Sequence, residues 1–350
     1  MKRANAVTVA QLDAFDEVID VRSPGEFSLD HVPDAVNCPV LDDAERARVG
    51  TIYAQVSPFD ARKTGAALVS RNIARHIDER FHGRGRTWRP LVYCWRGGQR
   101  SASMAHVLRE VGWDAATLEG GYRAYRREVL SQLDRLPQRY RFRVLCGATG
   151  SGKSRLLEAL AARGAQVLDL ERLACHRGSL LGDLPGEPQP TQKMFDSLLW
   201  KALGRFDSGK PVYVEAESKK IGQIQVPAAL LARMREGECL RLEMPVAERV
   251  RFLIAEYKHF LTQPAGLKEK LRCLRAHYGS DVVGRWLDQA DSCAWPDLVA
   301  DLLHTHYDPS YLRATTRNYL HYDIARQLAI ERLDEAGIES AAAELSRSPV

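Results

Sequence analysis

A chain of 350 residues exceeds the ~100–200 residues expected of one domain, so two domains are expected. With 45% hydrophobic and 27% charged residues the composition excludes intrinsic disorder and a collagen-like repeat, and no apolar run approaches the ~18–20 residues of a membrane helix. The net charge of +5 is mild and permits a nucleic-acid partner without requiring one. Of the 50 basic residues 39 are Arg, the side chain that grips phosphate bidentately, although a genome rich in G and C raises Arg content everywhere. The polar opening Met1-Lys2-Arg3-Ala4-Asn5 does not read as a signal peptide, so a cytoplasmic protein off the membrane is expected. Seven cysteines, an odd number with no C-x-x-C pair, exclude a disulfide framework and a zinc knuckle, leaving any conspicuous cysteine to be chemical.

In chain order, residues 17–21 predict a strand and residues 90–94 another, followed by the basic glycine loop Trp95-Arg96-Gly97-Gly98-Gln99-Arg100. Ser101 then opens a helix with Ala105, Leu108 and Val111 on one face. A strand at 116–118 ends at Gly120-Gly121, and a basic helix from Tyr122 to about Leu133 completes an α/β unit before Pro137. The domains are therefore set at 1–136 and 137–350. The second restarts with a buried strand at 142–146, the loop Gly147-Ala148-Thr149-Gly150-Ser151-Gly152-Lys153-Ser154 and a helix through Ala162. Strands are predicted at 166–170, 212–215 and 239–244, a functional loop at 178–192, and helices over 246–260 and most of the chain to Leu345. The fold class is α/β in both domains, the second a parallel P-loop-type sheet with a helical C-terminal elaboration.

Gly147-x-x-x-x-Gly152-Lys153-Ser154 fits the P-loop pattern between a strand and a helix. Its backbone N–H groups, with Gly150 in the curl, and the helix N-terminus would cradle phosphate oxygens, Lys153 would add a point charge, and Ser154 would be the residue to hold magnesium. The loop reads a diphosphate, not a base. Glu215 ends the strand where Asp is usual, and Glu217 and Lys219 follow; an acid there would orient a metal-bound water, and a Glu215–Lys219 ion pair without catalytic work is the plain alternative. Asp169, Glu171, His176 and Arg177 should lie on the same rim of the sheet as a substrate wall.

Cys94 ends a strand immediately before a basic glycine loop and a helix start, a setting that stabilises a thiolate through loop N–H groups, the helix N-terminus, Arg96 and Arg100, with Gly97 and Gly98 shaping the loop. Cys146 and Cys239 read as strand-core residues, and Cys38 as core packing in preference to a resolving thiol. Two chemistries share this geometry. Cys94-x5-Arg100 has the spacing of a thiol phosphatase loop; the alternative is chalcogen transfer, in which the cysteine accepts sulfur or selenium.

Asp20-Val21-Arg22-Ser23-Pro24-Gly25-Glu26-Phe27 and His31-Val32-Pro33-Asp34-Ala35-Val36-Asn37 resemble the opening signature of the rhodanese family, with Asp34 where that signature has glycine. Rhodanese-fold phosphatases carry histidine before the nucleophile; here it is Tyr93, which favours chalcogen transfer. The joining of such a domain to a P-loop resembles the tRNA 2-selenouridine synthases. The resemblance rests on residues 93–101, the P-loop, Asp169-Leu170-Glu171, His176-Arg177-Gly178-Ser179, Gln189-Pro190-Thr191-Gln192-Lys193, residues 215–222 and Tyr307-Asp308-Pro309-Ser310-Tyr311.

The resemblance implies a transferase that S-geranylates wobble 2-thiouridine of tRNA with geranyl diphosphate and then replaces sulfur by selenium from selenophosphate, with no tightly bound cofactor. The P-loop would hold the prenyl diphosphate or the selenophosphate, and Cys94 would carry selenium as a perselenide. Competing readings are an ATP-dependent tRNA sulfurtransferase and a regulatory module that senses oxidation at Cys94. Met194, Phe195, Leu198, Leu199 and Trp200 could form an apolar trough but read more simply as a core helix face. Arg123, Arg126 and Arg127, and Lys268, Lys270, Arg272 and Arg275, are the basic residues that could meet tRNA phosphates.

Overall fold

The computed structural model describes residues 6–347; the opening Met1–Asn5 segment lies outside the described residues. The chain forms two compact units, residues 1–132 with 191–201, and residues 133–190 with 202–350. Residues 191–201, assigned from the sequence to the second domain, pack within the first unit.

The first unit is built on a five-stranded parallel sheet: β1 (Ala6–Val7), β2 (Glu17–Asp20), β3 (Val36–Asn37), β4 (Pro90–Tyr93) and β5 (Ala116–Leu118), in spatial order β1-β5-β4-β2-β3. Every residue of β4 is buried, as a strand covered on both faces requires. Ile19, Val92, Met104, Leu108 and Trp113 share the core, and Cys38 is fully buried among them. Two helices absent from the sequence reading, Asp43–Gln55 and Pro58–His76, fill the long connection between β3 and β4. Their start signals are present: Asp42 and Glu45 form a reciprocal capping box, and Ser57 caps the second helix ahead of Pro58.

Within this unit Asp34 adopts φ 69°, the left-handed conformation that explains the glycine expected at that position; a short polar side chain tolerates it. The buried guanidinium of Arg22 pairs with Asp20, donates to the Asp30 carbonyl at 2.6 Å and lies 4.0 Å from the Tyr122 ring centroid. Tyr93 is buried, and its hydroxyl accepts the Val32 N–H at 3.1 Å. The signature residues thus hold the strand ends around the cysteine loop.

The second unit carries β6 (Phe142–Cys146), β7 (Gln166–Leu168), β8 (Val212–Glu215), β9 (Lys220–Ile221), β10 (Ile224–Gln225), β11 (Glu238–Glu243) and β12 (Arg326–Ala329). Strands β9 and β10 make a small antiparallel hairpin, and the others form a parallel sheet in the order β12-β11-β6-β8-β7. The sheet order diverges on either side of β6, so its C-terminal end opens at the crevice where α/β sheets bind ligands. The expectation of helix over most of the chain end misses β12, which buries only Leu328 and so lacks a strand's apolar pattern. The helix Glu335–Arg347 then returns Ile338, Ala341, Ala342 and Leu345 to the core beside Leu156, Leu157 and Leu160. The predicted helix 246–260 is two, Val246–Glu256 and Lys258–Thr262. Residues 257–307 form their own apolar cluster around the fully buried Trp286.

Candidate functional site

Two sites emerge, one in each unit. In the first, Cys94 lies directly after β4, 3% exposed. Its sulfur accepts the Gly98 N–H at 3.2 Å and the Ser101 hydroxyl at 3.2 Å. Burial pushes this thiol up, but the Ser101 hydroxyl and the backbone N–H groups of Ser101, Arg96 and Gly98 together outweigh it, so the thiol lies below its ordinary value. The sequence pattern assigns part of this role to the guanidinium groups of Arg96 and Arg100. Arg100 instead faces Glu26 at 3.2 Å, and the Arg96 side chain is exposed, its backbone rather than its charge serving the sulfur.

The loop is shaped from behind. Gly97 has φ 68°, and a Cβ on Gly121 would sit 2.3 Å from the Cys94 carbonyl oxygen and 2.5 Å from Gly97 N. Tyr122 and Arg123 donate their N–H groups to the carbonyls of Cys94 and Trp95, at 2.8 and 3.1 Å. The Gly120-Gly121 pair is therefore the platform on which the cysteine loop rests, a role its position at a strand end did not disclose. Of the basic residues on the following helix, Arg126 is bonded to Asp196 and to the Lys193 carbonyl, which removes it from the exposed set, while Arg123 and Arg127 remain exposed.

In the second unit, the P-loop leaves β6 and curls into the helix Lys153–Ala162, with Gly150 and Gly152 both in the left-handed region. Lys153 Nζ donates to the Gly147 carbonyl at 2.6 Å, and Gly147 N–H donates to the Tyr311 hydroxyl at 2.6 Å. The buried Arg249 donates to the Thr149 carbonyl at 2.8 Å and pairs with Asp308 at 2.5 Å. Tyr311, Arg249 and Asp308 thus fix the cradle from outside. None was assigned a role from sequence, although Asp308 and Tyr311 stand in a motif that resemblance picked out.

The cradle opens into a cavity of about 1050 Å³. Gly150, Gly152, Lys153, Ser154, Asp169, Glu171, His176, Arg177 and Glu217 line it; Gly147, Glu215 and Lys219 do not. Ser154 donates to Glu171 at 3.2 Å, and the Glu171 N–H donates to a Glu215 oxygen at 2.8 Å. Glu215 is buried and engaged there, and Lys219 is exposed, so the Glu215–Lys219 pair weighed from the sequence does not form. The second Glu215 oxygen is buried without a hydrogen-bond partner. Burial, reinforced by neighbouring carboxylates, pushes Glu215 well up and Glu217 up to about 8; Asp169 and Glu171 rise chiefly through burial.

His176 is 4% exposed and works inside the loop: Nδ1 accepts the Gly178 N–H at 3.1 Å, which leaves the proton on Nε2 facing Asp183 at 3.4 Å. Lys270 also pairs with Asp183, and Lys268 with Asp291, leaving Arg272 and Arg275 as the exposed members of that basic segment. Arg177 pairs with Glu256 at 3.0 Å and lies 4.9 Å from the Tyr257 ring centroid. For magnesium the fit is partial. Ser154 and Glu171 offer two hard oxygens, while no group of three or more His, Cys, Asp or Glu among the described residues is arranged for a metal, so phosphate oxygens would have to complete the shell. No helix among the described residues is long and apolar enough to cross a membrane.

Comparison with known proteins matches each unit. Residues 6–128 match the family described as rhodanese-like domain, and residues 140–278 that described as tRNA 2-selenouridine synthase AAA domain. Three proteins named tRNA 2-selenouridine synthase are similar over most of the chain. That of Marinobacter nauticus is 36% identical over 282 residues, covering 78% of this chain and 71% of its own. That of Hydrogenovibrio crunogenus is 32% identical over 343 residues, covering 87% and 92%. For that of Nitrosomonas europaea, 36% identical, the match covers 73% of this chain and 66% of the relative's length.

Proposed function

Because the chain belongs to the tRNA 2-selenouridine synthases, a family of tRNA-modifying transferases, we propose that it replaces sulfur by selenium in wobble 2-thiouridine of tRNA in two consecutive steps. In the first, the thiocarbonyl sulfur attacks C1 of geranyl diphosphate. The carbon–oxygen bond breaks, diphosphate departs within the P-loop beside Lys153, and the N3 proton of the base is released. Alkylation matters because a thiocarbonyl sulfur is a poor leaving group, whereas a thioether sulfur can depart as a thiol. Magnesium held by Ser154 and Glu171 would neutralise charge on the departing diphosphate.

In the second step selenophosphate supplies selenium already at the selenide level. Attack of the Cys94 thiolate on phosphorus breaks the phosphorus–selenium bond, frees hydroselenide and leaves a phosphoryl group on sulfur for water to remove. Hydroselenide adds at C2 of the geranylated base and geranylthiol leaves, so electrons balance without an oxidant. A perselenide on Cys94, the form implied by the resemblance, would need two electrons removed, and phosphorus–selenium cleavage replaces it in this scheme. We take the cytoplasm, where tRNA resides, as the compartment.

The observation that carries the reading is the pairing, in one chain of this family, of a hydrogen-bonded thiol of lowered pKa with a phosphate cradle opening on a large cavity. The test is mass analysis of wobble nucleosides after 2-thiouridine tRNA is incubated with geranyl diphosphate, with and without selenophosphate. Lys153→Ala should lower geranylation by roughly 100-fold or more yet still selenate pre-geranylated tRNA, and Cys94→Ala should do the reverse. A wild-type protein that forms neither product overturns the scheme, and selenation surviving in Cys94→Ala removes the thiolate from it.

A further inference from the structure

A second, much smaller cavity of about 60 Å³ adjoins the phosphate cavity inside the second unit. The two share Thr149, Ser179, Leu253, Tyr257 and Tyr307, and Thr149 belongs to the P-loop itself. Beyond that rim the wall is hydrocarbon: Ile254, Leu261, Leu267, Leu298 and Val299, with Trp295 closing one side. Such a recess has neither the room nor the hydrogen-bonding groups for a nucleobase, whose ring nitrogens and exocyclic groups would be left unpaired on burial. A hydrocarbon chain ending in phosphate matches both cavities at once: charge on the cradle, carbon in the recess.

We propose that this recess is the tail subsite of a short prenyl diphosphate, with the helices Val246–Glu256 and Trp295–Leu302 as its walls and the Tyr257 and Tyr307 side chains at its mouth. The inference rests on the geranyl-transfer reading for its choice of ligand. It adds that chain length is sensed by the helical elaboration and that the P-loop here serves an amphiphile instead of a nucleotide. Because the recess holds only about 60 Å³, it takes the methyl end of the outer isoprene unit while the rest of the chain stays in the wider cavity near the reacting carbon.

The test is calorimetric titration of the full chain with inorganic pyrophosphate, dimethylallyl diphosphate and geranyl diphosphate. Affinity should rise by roughly 10-fold or more from the five-carbon to the ten-carbon ligand. Val299→Phe and, from the facing wall, Ile254→Trp should erase that gain while pyrophosphate affinity stays within about 2-fold, which also reports that the variant is folded. Trp295→Ala should shift preference toward farnesyl diphosphate by a similar factor. A wild-type series flat in chain length, or a gain that survives both filling variants, overturns the subsite. Binding that follows the chain-length pattern without transfer to tRNA supports the subsite while sinking the geranyl-transfer reading, so the two fail separately.

Discussion

At the residue scale the cysteine loop depends on neutral donors more than on charge. The Ser101 hydroxyl, 3.2 Å from sulfur, is the foremost of the groups that offset the burial of Cys94. Ser101→Ala should therefore move the pH profile of Cys94 alkylation by iodoacetamide upward, with a slower reaction at neutral pH. The profile must be read by peptide mass analysis because the exposed Cys273 and Cys293 will react too, and an unmoved profile would contradict the role given to the hydroxyl. Glu217 makes the second residue-level case. Its carboxyl is raised to about 8 by burial and Glu171, so between its unfolded value of 4.5 and that pH the folded chain holds a proton the unfolded chain has lost. Stability falls as pH rises through this window. Glu217→Gln should lose less stability than wild type between pH 6 and pH 9, by on the order of 2 kcal/mol, measured by chemical denaturation.

At the scale of elements, a site is only as firm as what braces it. The Cys94 loop leans on the first turn of the helix Gly121–Arg135, where a methyl group would collide with two backbone atoms. Gly121→Ala should cost more than about 2 kcal/mol in unfolding free energy and slow alkylation of Cys94. Gly112→Ala is the control, since it shares a positive φ but faces open space and should cost only about 1 kcal/mol. Equal losses in the two variants would mean that the close approach contributes nothing. The helical hairpin of residues 43–76 shows how an element escapes a pattern reading. Its first helix buries no residue fully, so no apolar stripe marks it, although the Asp42–Glu45 capping box announces its start.

At the scale of the whole molecule, the thiol loop and the phosphate cradle lie in separately packed units, so the two proposed steps should be open to disabling one at a time. Mixing purified Cys94→Ala and Lys153→Ala proteins with 2-thiouridine tRNA, geranyl diphosphate and selenophosphate should restore 2-selenouridine if geranylated tRNA leaves the first active protein. The measured yield should rise with protein concentration and exceed that of either variant by about 10-fold or more. A yield no higher than with the separate variants would mean that the intermediate is never released between sites.

The sequence by itself determined the two α/β units, the thiol loop and the phosphate cradle, because strand–glycine loop–helix junctions are local and their spacing is fixed by backbone geometry. It also located the acids and the His176–Ser179 segment at the rim of the second sheet. Only the tertiary structure decided that Arg100 turns to Glu26, that Gly121 supports the thiol loop, that residues 191–201 belong to the first unit and that β12 closes the second sheet. It alone set a hydrocarbon recess against the cradle. These features join residues far apart in the chain, and their energies come from burial and close approach, which a linear pattern does not encode.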